Sequence, residues 1–149
     1  MNSTNGKSAR QFLDTNILVY AHDSSAGEKR AIAKRLVRAM WQSRTGCISV
    51  QVLQEFLVTV TRKTANPLSV DEAAFIISRL GQWQVHSPAA EDVVNAIQVQ
   101  KRYQLSFWDA LIIHSARQLN CAVVWSEDIN DGQFYGSVQV RNPFLQHDT

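Results

Sequence analysis

Residues 12–20 read Phe12-Leu13-Asp14-Thr15-Asn16-Ile17-Leu18-Val19-Tyr20. Two apolar residues run into an acid, two small polar residues follow, and an apolar helical run begins. This is the pattern of a β-strand that ends and feeds a helix. Asp14 then stands at the carboxyl edge of a sheet, where open α/β folds keep their ligands. What the rest of the chain does with that edge decides the fold.

The same alternation continues to the end. A strand over about Arg10 to Leu13 gives way to a helical turn through Tyr20. Ser25 and Glu28 have capping-box spacing and predict a helix from Ala26 to about Trp41. On that helix Ile32, Ala33, Leu36, Val37 and Met40 share one side, and Arg30, Lys34, Arg35 and Arg38 the other. Cys47 to Ser49 reads as a second strand, with Ser49 capping a helix from Val50 to about Arg62. Ser69 with Glu72 opens another helix, which Gly81 stops. Trp83 to Val85 reads as a third strand, and Ser87-Pro88 as the start of a helix with proline at its first position. Ser106 with Asp109 opens a helix to about Leu119, with Asn120 as its stop. Ala122 to Trp125 is a continuous apolar run of the buried parallel type, and Ser137 to Val140 reads as a last edge strand. Strands alternating with helices imply an α/β sandwich around a mostly parallel sheet. Right-handed crossovers then gather the strand ends after Leu13, Ile48 and Trp125 on one edge.

The bulk composition agrees. At 149 residues, 45% apolar and 19% charged, the chain suits one globular domain, and disorder is excluded. Residues 1–9 read as a tail, 10–145 as a single domain and 146–149 as a second short tail. A net charge of +2 points only weakly to a polyanionic partner. Cys47 and Cys121 both sit in apolar runs, which suits buried thiols in a reducing compartment. The polar N-terminus lacks a signal core, and no apolar run approaches the roughly 18 residues of a membrane span. The expectation is a soluble cytoplasmic protein with no membrane partner.

Four acids fall where that edge would collect them. Asp14 follows the first strand, and Glu55 lies in the second turn of the helix after the second strand, inside the apolar run VLQEFLVTV. Asp109 lies in the first turn of the helix opened by Ser106, and Asp128 follows the strand ending at Trp125. Each has an ordinary structural alternative. Asp14 could serve the helix dipole, Glu55 could pair with a buried arginine, Asp109 completes a capping box, and Asp128 begins a polar turn. Together they need a further reason, because clustered carboxylates repel. A hard divalent cation, Mg²⁺ or Mn²⁺, supplies one, since it prefers oxygen ligands. No His/Cys cluster offers a zinc site.

At this point the sequence resembles the PIN-domain nucleases, and within them the VapC-like ribonuclease toxins of bacterial toxin–antitoxin pairs. The matching segments are LDTNILVY at 13–20, ISVQVLQEF at 48–56, SFWDALI at 106–112, VWSEDINDGQ at 124–133 and VRNPF at 140–144. The resemblance spans about residues 11–145. It implies a PIN-like three-layer α/β/α sandwich with a central, mostly parallel sheet, and a metal site of three or four acids. It implies a divalent-metal-dependent endoribonuclease leaving 5′-phosphate and 3′-hydroxyl ends, with RNA such as tRNA or rRNA as substrate. An antitoxin protein and a second copy of the chain are the implied partners. Carried over by position, Asp14, Glu55 and Asp109 are three site acids and Asp128 the fourth, with Glu127 and Asp131 near enough to compete. Thr15, Asn16 and Ser126 match small polar positions that support those acids.

A site this acidic needs basic flanks to admit RNA. Arg30, Lys34, Arg35 and Arg38 form one candidate stripe and Lys101-Arg102 another, although a solvated helix face is the expectation for any single stripe. Trp108 has the shape to stack on a base, but a core position is the expectation for a tryptophan. Two other readings remain at this stage. A non-catalytic RNA- or protein-binding module on the same fold would be marked by lost acids, and here all are present. A phosphohydrolase of the haloacid dehalogenase type wants a second Asp two residues after the first, where this chain has Asn16.

Overall fold

The computed structural model describes residues 9–145. The two expected tails lie outside the described residues apart from Ala9. In chain order the elements are β1 (Gln11–Leu13), α1 (Thr15–His22), α2 (Glu28–Ser43), β2 (Gly46–Ser49), α3 (Val50–Arg62) and α4 (Val70–Leu80). There follow β3 (Gln84–His86), α5 (Ala90–Tyr103), α6 (Phe107–Gln118), β4 (Val123–Trp125), β5 (Phe134–Tyr135) and β6 (Val138–Arg141).

The six strands form one sheet in the order β3-β2-β1-β4-β6-β5. All neighbours pair in parallel except β5 with β6. The chain steps outward from β1 through β2 to β3, then returns across the sheet to β4. A right-handed crossover in each direction puts α1–α4 on one face and α5–α6 on the other. The helix contacts divide the same way, α1 with α2 and α3, α3 with α4, and α5 with α6. The result is a three-layer α/β/α sandwich. Its topological switch lies between β1 and β4, which is where Asp14 leaves β1.

The core is one continuous cluster. Phe12, Leu13, Cys47, Ile48 and Val124 from the sheet meet Ile17, Leu18, Val52 and Phe56 on one side and Ile112, Ile113 and Ala116 on the other. Helix α2 buries Ala33, Val37 and Met40 and leaves Lys34, Arg35 and Arg38 exposed, as its periodicity predicts. Gly46 opens β2 because the Trp83 ring lies where its Cβ would stand, 2.6 Å from the nearest ring carbon. Cys47 and Cys121 are buried and free. Among the described residues, no helix is long and apolar enough to cross a membrane.

Three local expectations are corrected. Ser25 does not cap α2; its N–H and hydroxyl both go to Asp23 Oδ1, and the helix starts after Gly27 at φ 64°. A local Asx turn outcompeted the capping box for the same serine. Pro88 precedes α5 rather than opening it, and the Asp92 carboxylate accepts the Ala89 N–H instead. The segment after Ser137 is interior, since β6 lies between β4 and β5. The edge belongs to β5, a two-residue strand too short to carry a periodic signal.

Candidate active site

Asp14 is the N-cap of α1, and its placement follows from the strand that precedes it. Its N–H still belongs to the sheet, bonded to the Trp125 carbonyl at 3.0 Å. Its side chain turns into the helix start, where Oδ1 accepts the Thr15 N–H at 2.7 Å and Oδ2 accepts the Ser126 hydroxyl at 2.8 Å. Only 7% of the residue is exposed. Its carboxyl is raised from 3.8 to about 6, chiefly by burial, with the Ser126 and Thr15 donors pulling it down and the charges of Asp109 and Asp128 adding to the rise.

Glu55 reaches the same place from α3. The Thr15 hydroxyl donates to its Oε1 at 2.6 Å, and Gln51, one turn earlier, donates to its Oε2 at 3.2 Å. Glu55 therefore sits in no arginine pair; its partners are neutral donors that hold the carboxylate in one orientation. Asp109 enters from the first turn of α6, where its N–H bonds the Ser106 hydroxyl at 3.1 Å. Burial raises its carboxyl, Ser106 lowers it, and Asp128 and Glu55 raise it further.

The three acids near the fourth position differ in their partners. Asp128 lines the cleft; its N–H bonds Ser126 Oγ at 3.1 Å and its Oδ2 accepts from the Asn16 amide. Its carboxyl is raised by burial and by Glu127, against a lowering by Lys29. Glu127 faces the other way, with Oε1 accepting the Tyr20 hydroxyl and Oε2 bound to Lys29 at 2.7 Å. Asp131 accepts the Asn142 N–H at 2.7 Å and braces the loop after β6. The Tyr20–Lys29 clamp on Glu127 had no signal in the sequence, because its members are about a hundred residues apart.

Asp14, Glu55, Asp109 and Asp128 thus line one cleft of about 300 Å³, with Thr15, Asn16, Gln51, Thr59, Lys63, Trp108 and Ile112 completing its walls. None of the four acids is ion-paired to a protein cation among the described residues. No three of the described acids, histidines and cysteines form a ready-made coordination shell. The acids surround a space without closing on it. That fits a hard cation which keeps several of its waters, and the all-oxygen donor set fits Mg²⁺ or Mn²⁺ rather than zinc.

Two expectations about the surroundings change. The basic stripe does not flank the acids. Arg30, Lys34 and Arg38 instead line a separate hollow of about 360 Å³ between α1, α2 and α4. Trp108 is not in the core, as 60% of it is exposed at the rim of the acidic cleft. Gln51, Thr59 and Lys63 were missed, yet their signal was in the sequence. With Glu55 they recur every four residues along α3 and into its C-cap at Lys63, a polar stripe on one side of the helix.

A PIN domain model matches residues 12–134, and the chain belongs to the PIN domain family. No curated protein matches it. Solved structures share the fold. VapC20 of Mycobacterium tuberculosis, described as a Sarcin-Ricin loop cleaving toxin, aligns with a TM-score of 0.62 and 22% identity over 79% of this chain and 89% of that one. VapBC2 of Rickettsia felis, bound to a DNA fragment from their promoter, aligns at 0.60 and 18% identity, covering 89% and 97%. FitAcB of Neisseria gonorrhoeae aligns at 0.58 and 18%, covering 91% and 99%. At these identities the likeness is one of fold.

Proposed function

We propose that this chain is a divalent-metal-dependent endoribonuclease and the toxin of a toxin–antitoxin pair, acting in the cytoplasm. The observation that carries the reading is the convergence of four acids on one cleft, none of them ion-paired to a protein cation among the described residues. Family membership and the resemblance to VapC-like toxins supply the substrate class, RNA.

In this reading Asp14, Asp109 and Asp128 would hold Mg²⁺ or Mn²⁺ directly or through water, and the ion when bound would supply a better water nucleophile and stabilisation of charge on the phosphoryl group. Glu55, fixed by Thr15 and Gln51, would complete the metal site beside them and orient the attacking water. Asn16 and Ser126 keep Asp128 and Asp14 aimed at the cleft. Water attacks phosphorus and the bond to the 3′ oxygen breaks, leaving a 5′-phosphate and a 3′-hydroxyl.

The partners follow from the same resemblance. The hollow between α1, α2 and α4 combines Val37, Trp41, Leu68 and Ile76 with Arg30, Lys34 and Arg38, and the buried Arg30 Nε has no hydrogen-bond partner there. Such a surface suits an antitoxin segment that is apolar and acidic. Val93, Val94 and Ile97 expose apolar surface on α5 that suits a second copy of the chain. Fluorescently labelled RNA incubated with the full chain tests the activity. Cleavage in Mg²⁺ or Mn²⁺ that EDTA abolishes is expected. Binding without cleavage, indifferent to the chelator, would mark a non-catalytic module.

A further inference from the structure

Helix α3 carries Gln51, Glu55 and Thr59, and Lys63 at its C-cap continues the four-residue spacing; all four line the acidic cleft. Four-residue spacing puts them on one face, so they form a polar track leading outward from the acids. Lys63 lies eight residues beyond Glu55, about 12 Å along the helix axis. It is exposed and is the one cation among the described residues lining the cleft.

Trp108 stands on the rim of the same cleft, one residue before Asp109. Its ring is 60% exposed, which removes the core explanation for a tryptophan there. It is nevertheless held in place. The Phe107 ring meets it edge-on, with centroids 5.1 Å apart and an interplanar angle of 75°. Its backbone carbonyl accepts from Gln51 Nε2 at 3.4 Å, so the polar track is tied to the backbone that carries the indole. A large apolar face kept in water beside four carboxylates calls for a ligand with both a flat π-surface and negative charge. An unstacked nucleotide has both.

We propose that Trp108 stacks on one base of the bound RNA and that Lys63 holds a phosphate beside the one at the acids. The inference rests on the ribonuclease reading and adds to it two residues that position the strand. A base in a duplex is already stacked on both faces and offers no free π-surface to the indole.

The test measures binding in an Asp14→Asn background, where the probe stays intact. Fluorescence anisotropy with Mg²⁺ would compare a labelled single-stranded RNA of about 12 nucleotides with its duplex. The single strand should bind more tightly. Trp108→Ala should weaken it roughly five- to a hundredfold, and Trp108→Phe should restore most of the loss. Lys63→Gln should reduce the slope of log Kd against log salt by about 0.7. Unchanged affinity in Trp108→Ala, or equal binding of the duplex, overturns the inference. So does a dimer that sedimentation shows falling to monomer in Trp108→Ala, because the ring would then lie under a second copy. Failure of the ribonuclease reading looks different: the wild-type chain would cleave no RNA in Mg²⁺ or Mn²⁺. Wild-type cleavage together with unaltered binding by both variants would sink this inference alone.

Discussion

The Ser126 hydroxyl donates to Asp14 Oδ2 at 2.8 Å, joining the end of β4 to the end of β1 at the switch point of the sheet. The same oxygen accepts the Asp128 N–H at 3.1 Å. One buried hydroxyl therefore orders two of the four cleft acids. Ser126→Ala should lose both bonds, at a cost of about 1–3 kcal/mol. With a donor gone, the Asp14 carboxyl should rise further, so the acid limb of the pH–rate profile should move to higher pH. Thermal melts and a pH–rate profile check the two effects, and an unmoved acid limb would contradict the role given to Ser126.

Asp14 should make the metal-free fold less stable as pH rises. Its folded value of about 6 exceeds the ordinary 3.8, so the fold favours the protonated acid. Its contribution is fully present below the ordinary value and is lost as pH climbs through about 6. The shift corresponds to about 3 kcal/mol. Asp14→Asn removes the charge and keeps a carbonyl for the Thr15 N–H. In EDTA its Tm should exceed that of the wild type at neutral pH, and the advantage should shrink towards pH 4. A difference that stays flat with pH would contradict this. Adding Mn²⁺ should stabilise the wild type and leave the variant nearly unchanged.

Glu55 depends on its neutral donors. Thr15→Val keeps the shape of the side chain and removes the hydroxyl that donates to Glu55 Oε1 at 2.6 Å. Metal affinity, read by calorimetric titration of Mn²⁺, should fall about ten- to a hundredfold while circular dichroism stays native. Unaltered affinity would mean that Glu55 stands clear of the ion.

The neighbours Glu127 and Asp128 should separate by function. Glu127 pairs with Lys29, whose side chain is 43% exposed, so Glu127→Gln should cost no more than about 1 kcal/mol and leave cleavage nearly intact. Asp128→Asn should leave the fold intact and suppress cleavage. The reverse outcome would exchange their roles.

The order of strands and helices was legible because β2 and β4 read as apolar, β-leaning runs and three of the six described helices begin at a capping serine. Ser49, Ser69 and Ser106 all cap where their spacing indicates. Ser25 failed because Asp23, two residues earlier, offers it a shorter-range partner, a competition that spacing does not weigh. The acids Asp14, Glu55, Asp109 and Asp128 could be found because a parallel sheet sends successive strand ends to one edge. The choice among Glu127, Asp128 and Asp131 could not be made that way. The partners that distinguish them are Asn16 for Asp128 and Tyr20 and Lys29 for Glu127, each about a hundred residues away in the chain. The polar track on α3 was legible as a four-residue repeat, but its direction towards the cleft needed the helix to be docked.

The central claim is that the four acids act as one metal-binding hydrolytic site. Single-turnover cleavage of a labelled RNA in Mn²⁺ tests it most directly, run on the wild type and on Asp14→Asn, Glu55→Gln, Asp109→Asn and Asp128→Asn. Metal-dependent cleavage to 5′-phosphate and 3′-hydroxyl ends is predicted for the wild type, with a loss on the order of a hundredfold or more in each folded variant. Full activity in folded Asp14→Asn would contradict the account.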